Sequence, residues 1–155
     1  MLVVVMALAA YQLLNGPAVD DPMPPGQEMG VPPHATPAGS AVSAPGEARL
    51  LAAWRAGESG VMVTVGGRVV KVLPDDDDGS RHQRFIIRLR GEDHTVLVAH
   101  NIDLADRVPL EEGDTVTLRG QYEFNEQGGL LHWTHADPDG RHEGGWIECK
   151  GRRTE

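Results

Sequence analysis

From Val61 onward the chain alternates apolar and polar residues with a period of two, the signature of half-buried strands. The segment Thr115–Phe124 is the clearest case. Val116, Leu118, Tyr122 and Phe124 fall on one face and Thr117, Arg119, Gln121 and Glu123 on the other. His82–Arg90 behaves likewise, with Phe85, Ile87 and Leu89 inward, His82, Arg84, Arg88 and Arg90 outward, and Ile86 an exception on the polar side. Further strands are expected over Val61–Leu73, Thr95–His100 and Leu130–Thr134, with a short closing strand around Trp146–Cys149. The pair Gly66-Gly67 suggests a bulge in the first of these. A long first strand, four shorter ones and a non-strand connection from Asn101 to Gly113 predict an all-β fold, a small five-stranded OB-like Greek-key barrel. An open β-sandwich is the alternative, since pattern gives strands but not closure.

Ahead of these strands, Glu47–Ala56 reads as a short helix, with Leu50, Leu51 and Trp54 on one stripe, Ser43 and Pro45 suited to its start and Gly57 placed to stop it. Residues 16–45 hold eight prolines among Gly, Ala and Ser without apolar periodicity, a composition expected to stay disordered as a linker. Residues 1–15 open with MLVVVMALAAYQLL, too short for the roughly 20 residues of a membrane-spanning helix and matched to the apolar part of a signal peptide. No Lys or Arg precedes Arg49, so the cationic start of such a peptide is missing and a membrane anchor is the other reading. The expected organisation is therefore a signal peptide or anchor, a linker, and a folded unit over 46–155. The chain would sit in the periplasm or on the inner membrane facing outward.

Charge narrows the function classes. With 14 basic against 23 acidic residues the net charge is -9, which repels the phosphate backbone and disfavours generic nucleic-acid coating. A local basic face could still bind an anion, because groups more than about 10 Å away are screened in salt. The single cysteine, Cys149, excludes an intramolecular disulfide, so the core alone must hold the fold. No nucleophile elbow, phosphate-binding glycine loop or Cys-x-x-Cys pair occurs.

Two candidate sites follow. The outward basic row, with Arg81, His82 and Arg84 and with His100, Asn101 and Asp103 at the end of the third strand, would lie on the ligand face of an OB barrel, where guanidinium forks suit phosphate or carboxylate. The second is a histidine cluster. His132, His135, Asp137 and His142 surround a Pro138-Asp139-Gly140 turn that should bring His142 back toward the other two, as zinc ligation would require. His132 and His135 are three apart, so both can face one ion only if the strand ends between them. The acidic run Asp75–Asp78 lacks the register of a calcium loop and reads as a solvated turn. Trp133 and Trp146 are expected to pack in the core.

The strings LPDDDDGSRHQRFIIRL (Leu73–Leu89), AHNIDLA (Ala99–Ala105), LEEGDTVTLRGQYE (Leu110–Glu123) and HWTHADPDGRHEGGWI (His132–Ile147) resemble the bacterial family DUF3465. The resemblance implies small exported or membrane-anchored proteins with an OB-like domain, implies no activity, and leads to the expectation of a further histidine where Ala136 stands. The functional expectation is an OB-like binding module for an anionic ligand such as an oligonucleotide, a phosphate-bearing ligand or a glycan, without a cofactor and with no partner protein. The alternative is a metal-dependent hydrolase, in its most plausible form a nuclease, using the His/Asp cluster with zinc or calcium.

Overall fold

The computed structural model describes residues 44–137 and 139–155. The expected signal peptide or anchor, the linker, Ser43 as a helix cap and Pro138 lie outside them. Among the described residues no helix is long and apolar enough to cross a membrane.

Helix α1 spans Pro45–Ala56, with Pro45 in the first turn, where its missing N–H costs nothing. Ala44 before it offers no side-chain cap. Gly57 ends it at φ 67°, donating to the Trp54 carbonyl while Glu58 donates to that of Ala53. Leu50, Leu51 and Ala53 are buried and Trp54 packs partly against the core. Glu47, in the same first turn, is also buried, and its Oε1 accepts a hydrogen bond from the Gly66 N–H at 2.7 Å.

The strands are β1 (Val61–Asp76), β2 (His82–Leu89), β3 (Thr95–Asn101), β4 (Thr115–Glu123), β5 (Leu130–His132), β6 (Trp146–Cys149) and β7 (Arg152–Thr154). Strand β1 is long enough to serve two neighbours. Its first half pairs with β4 as far as Arg68, and from Gly67 onward it pairs with β2. Strand β2 pairs with β3, β3 runs parallel to β5, and β5 returns to β4, so five strands close a ring in the order β1-β2-β3-β5-β4-β1. The all-β, OB-like layout read from the sequence is thus present as a closed five-strand ring. Strands β6 and β7 extend it beyond β4.

Several local expectations change. The irregularities in β1 fall between Val69 and Lys71 and between Leu73 and Asp76, while the ladder is continuous through Gly66 and Gly67. Those glycines answer a steric need instead, since a Cβ at Gly67 would stand 2.7 Å from the Arg88 carbonyl oxygen. Phe124 falls past the end of β4 and is 39% exposed. Strand β7 was not expected. It exists because Lys150 (φ 51°) and Gly151 (φ 76°) make the two-residue left-handed turn that suits strand twist.

The core fills the ring from every strand but β7. Val65, Phe85, Ile87, Val98, Leu118, Tyr122, Leu131 and Ile147 are essentially without solvent contact, each contributing roughly 1.5–3 kcal/mol of burial. Gln83 and His100 face inward with them: Gln83 exchanges two hydrogen bonds with the Val108 backbone, tying the connection between β3 and β4 onto β2.

Candidate functional site

A cleft of about 150 Å3 opens where β2 begins and β3 and β5 end. His82 contributes from β2, Ala99 and Asn101 from β3, His132 from β5, and Trp133, His135 and His142 from the segment that follows. The chain does what the His132/His135 spacing demands: β5 stops at His132, and Trp133 turns left-handed at φ 50°. That conformation costs a residue with a Cβ about 1–2 kcal/mol and breaks the alternation that would have sent the two imidazoles to opposite faces. Trp133 is therefore not in the core. Its indole stacks with both His132 (centroids 4.9 Å apart) and His142 (4.2 Å). Trp146 is also outside the core and carries the Arg153 guanidinium 4.0 Å over its ring.

The loop after Trp133 folds back as its turn residues predict. Asp137 accepts hydrogen bonds from the backbone N–H groups of His142 (2.6 Å) and Asp139 (3.0 Å), and Gly145 N–H closes the base on the His135 carbonyl. The His142 backbone bond, followed by that of Asp139 among others, holds the Asp137 carboxyl below the usual carboxylate range. His142 returns to within 5.3 Å of His135, ring centroid to centroid, edge to face. Its Nε2 stands 3.9 Å from Asp137 Oδ2, too far for a hydrogen bond.

Protonation follows from the partners. His135 Nδ1 lies 2.7 Å from the Ala136 carbonyl oxygen and His142 Nδ1 lies 3.0 Å from that of Glu143. A carbonyl only accepts, so both Nδ1 atoms carry the proton and, in the neutral rings, both Nε2 atoms carry a lone pair. His132 Nε2 lies 3.4 Å from Glu123 Oε1; burial pushes its pKa down against the pull of that carboxylate. His82 Nδ1 is buried with no hydrogen-bond partner among the described residues. As they stand, no three His, Cys, Asp or Glu side chains among the described residues form a group that could hold a metal ion.

The expected anion face fares differently. Arg81 is occupied by Asp103, which accepts from both its backbone N–H and its Nε at 2.8 Å and whose carboxyl those bonds hold below the usual range. Arg84 donates its Nε to the Pro74 carbonyl. Asn101 lines the cleft, but its Oδ1 accepts from the Asp103 N–H and so shapes the turn. His100 is a correction: its side chain is fully buried on the inner face, with Nδ1 2.9 Å from Thr134 Oγ1 and Nε2 3.1 Å from the Asp106 carbonyl oxygen. It braces the segment under the cleft and touches no ligand. In the acidic run, Asp75 pairs with Arg107 and Asp76 accepts from the Asp78 N–H, as a self-contained turn does.

A family model described as protein of unknown function (DUF3465) matches residues 36–155. The chain belongs to that family. No curated protein matches it. Membership of DUF3465 brings no chemistry with it, so the reading of the cleft rests on the residues themselves. Two of those, the place of Trp133 and that of His82 beside the later histidines, escaped the sequence, and the fifth strand, expected to run to Thr134, ends at His132.

Proposed function

We propose that the protein is an OB-like binding module whose ligand seat is the histidine cleft, and that this seat takes a divalent transition-metal ion of the zinc type. The observation that carries the reading is His82 Nδ1, buried without a protein partner in a cleft where His135 and His142 have their other ring nitrogens fixed as donors to carbonyls. An orphaned buried polar atom costs about 1–3 kcal/mol, a cost that a water, a ligand or an ion relieves, and the neighbouring imidazoles single out an ion here. Donation of Nδ1–H to a backbone carbonyl is the outer contact that orients metal-binding imidazoles. Magnitudes favour an ion over an organic molecule, because 150 Å3 falls short of the roughly 300 Å3 at which small-molecule pockets begin. Charge favours a cation, with -9 on the chain and Arg81 already neutralised. Imidazole donors suit zinc better than calcium, which takes oxygen.

Binding includes the rotation of at least one imidazole, since no three such side chains among the described residues converge as they stand. An ion held by two or three imidazoles in an open cleft keeps a position for water or an anionic ligand. Hydrolysis, the second activity weighed from the sequence, would start from such a metal-bound water and therefore depends on the same seat.

The test is thermal unfolding of the chain with and without zinc. At a concentration 100 times its dissociation constant, zinc should add about 2.7 kcal/mol, a rise on the order of 10 °C. His135→Ala and His142→Ala should abolish the rise, whereas His94→Gln, whose ring bonds the Gly128 carbonyl away from the cleft, should keep it. An unchanged melting temperature, or equal loss in all three variants, would overturn the proposal.

A further inference from the structure

At the other end of β2 the strand register builds a different kind of site. Arg68 on β1 and Arg88 on β2 are direct cross-strand partners, and they flank a hollow of about 250 Å3 together with Arg90 and Thr115. Like charges directly opposite each other in a ladder are destabilising, so this pair demands an account. Arg90 is held close by its backbone, which donates to the Gly66 carbonyl at 2.9 Å. Its guanidinium lies across Gly66, where a Cβ would stand 2.6 Å from Nη2. Gly66 therefore makes room for a cation on the sheet surface. Carboxylates compensate little. Arg88 pairs with Asp93, which is 92% exposed, and neither Arg68 nor Arg90 forms an ion pair among the described residues. Three arginines, Arg68, Arg88 and Arg90, thus line one hollow in a chain whose net charge is -9.

We propose that this hollow binds a phosphate group, presented as free phosphate or as a phosphate monoester. Planar guanidinium forks match tetrahedral oxyanions by paired N–H donors, and an anion seated among them would relieve the Arg68/Arg88 repulsion. The hollow has room for a head group while remaining below the size of pockets that enclose a whole organic ligand. The site is separate from the histidine cleft: His82 and Arg88 are on one face of β2, six residues and about 20 Å apart. The outward basic row seen in the sequence therefore splits in two, and its anion-binding half is the Arg88 end, completed by Arg68 from β1.

Isothermal titration of the chain with inorganic phosphate, and in parallel with a phosphate monoester such as glycerol phosphate, tests this. Both ligands should bind, with salt weakening both. Tighter binding of the ester would point to a phosphorylated metabolite as the source, equal binding to phosphate itself. Arg68→Ala and Arg90→Ala should each weaken binding about tenfold or more, the loss of one charge-assisted contact. Arg119→Ala, on β4 and already paired with Glu143, should leave it unchanged. His135→Ala should also leave it unchanged, so failure here and failure of the metal reading are told apart. No binding of either ligand, or an Arg119→Ala loss equal to the other two, would overturn the assignment, the second by showing that overall charge and not the hollow does the binding. Should Arg68→Ala or Arg90→Ala unfold, Arg68→Lys and Arg90→Lys keep the charge without the fork and should still weaken binding severalfold.

Discussion

Removing the Glu47 carboxylate tests how the helix is fastened to the corner of the ring. The side chain is 1% exposed, its Oε1 receives the Gly66 N–H, and its Oε2 is buried without a partner among the described residues. Glu47→Ala loses a hydrogen bond to a charged acceptor, about 1.5–3 kcal/mol, and leaves the Gly66 N–H in a site that water does not reach. The two deleted groups also leave unfilled volume worth about 1 kcal/mol. Together the expected loss is about 2.5–4 kcal/mol. Glu47→Gln keeps an acceptor for Gly66 and removes a charge of which one oxygen is unsatisfied, so it should stay within about 1 kcal/mol of the native chain. Urea unfolding at constant m reads both, and amide exchange at Gly66 should quicken in the alanine variant alone. The reasoning fails if Glu47→Ala costs less than about 0.5 kcal/mol, or if the glutamine variant falls as far as the alanine one.

Two further outcomes are expected. Burial lowers the pKa of His100, and likewise of His132, below the ordinary 6.5, so between that value and the depressed folded one the unfolded chain holds protons the folded one does not. Stability should be flat between about pH 7 and 8 and fall on acidification below 6.5, by up to about 1.4 kcal/mol per pH unit for each group; urea midpoints that rise on acidification would contradict this. Gly129→Ala should cost about 3–5 kcal/mol in the same assay, because φ is +97° and the new methyl would enter the Tyr122 ring, whereas Gly140→Ala, at φ +64° with open space around it, should cost about 1 kcal/mol; equal costs would show that the Tyr122 contact yields.

Periodicity revealed what periodicity controls. The alternation in Thr115–Glu123 and the inward set Phe85, Ile87 and Leu89 name strand faces directly, and a face names the core. Gly57 ends α1 because its left-handed backbone turns the following N–H groups back onto the last carbonyls, and glycine advertises that conformation. Where a residue other than glycine takes the same conformation, the sequence is silent. Lys150 and Trp133 both do so, the first creating β7 and the second turning His135 into the cleft. Tertiary context sets those angles, and nothing in the side chains announces them. Glu47 is hidden for the same reason, since its partner Gly66 lies nineteen residues away on another element.

The basic row on β2 was visible as a row, but the alternation that places charges on one face says nothing of what each meets there. That depends on register. The pairing of His82 with Asn101 brings the start of β2 beside the turn carrying Asp103, which takes Arg81 out of play and leaves imidazoles as the chemistry of that end. The pairing of Arg68 with Arg88 concentrates positive charge at the other. The β1 irregularity at Val70 separates the two pairings: it shifts the β1 register by one residue, so that Lys71 opposes Ile86 and Leu73 opposes Arg84. A second irregularity, between Leu73 and Asp76, shifts the register again before Asp76 opposes His82, so the two ends of the row meet different β1 side chains.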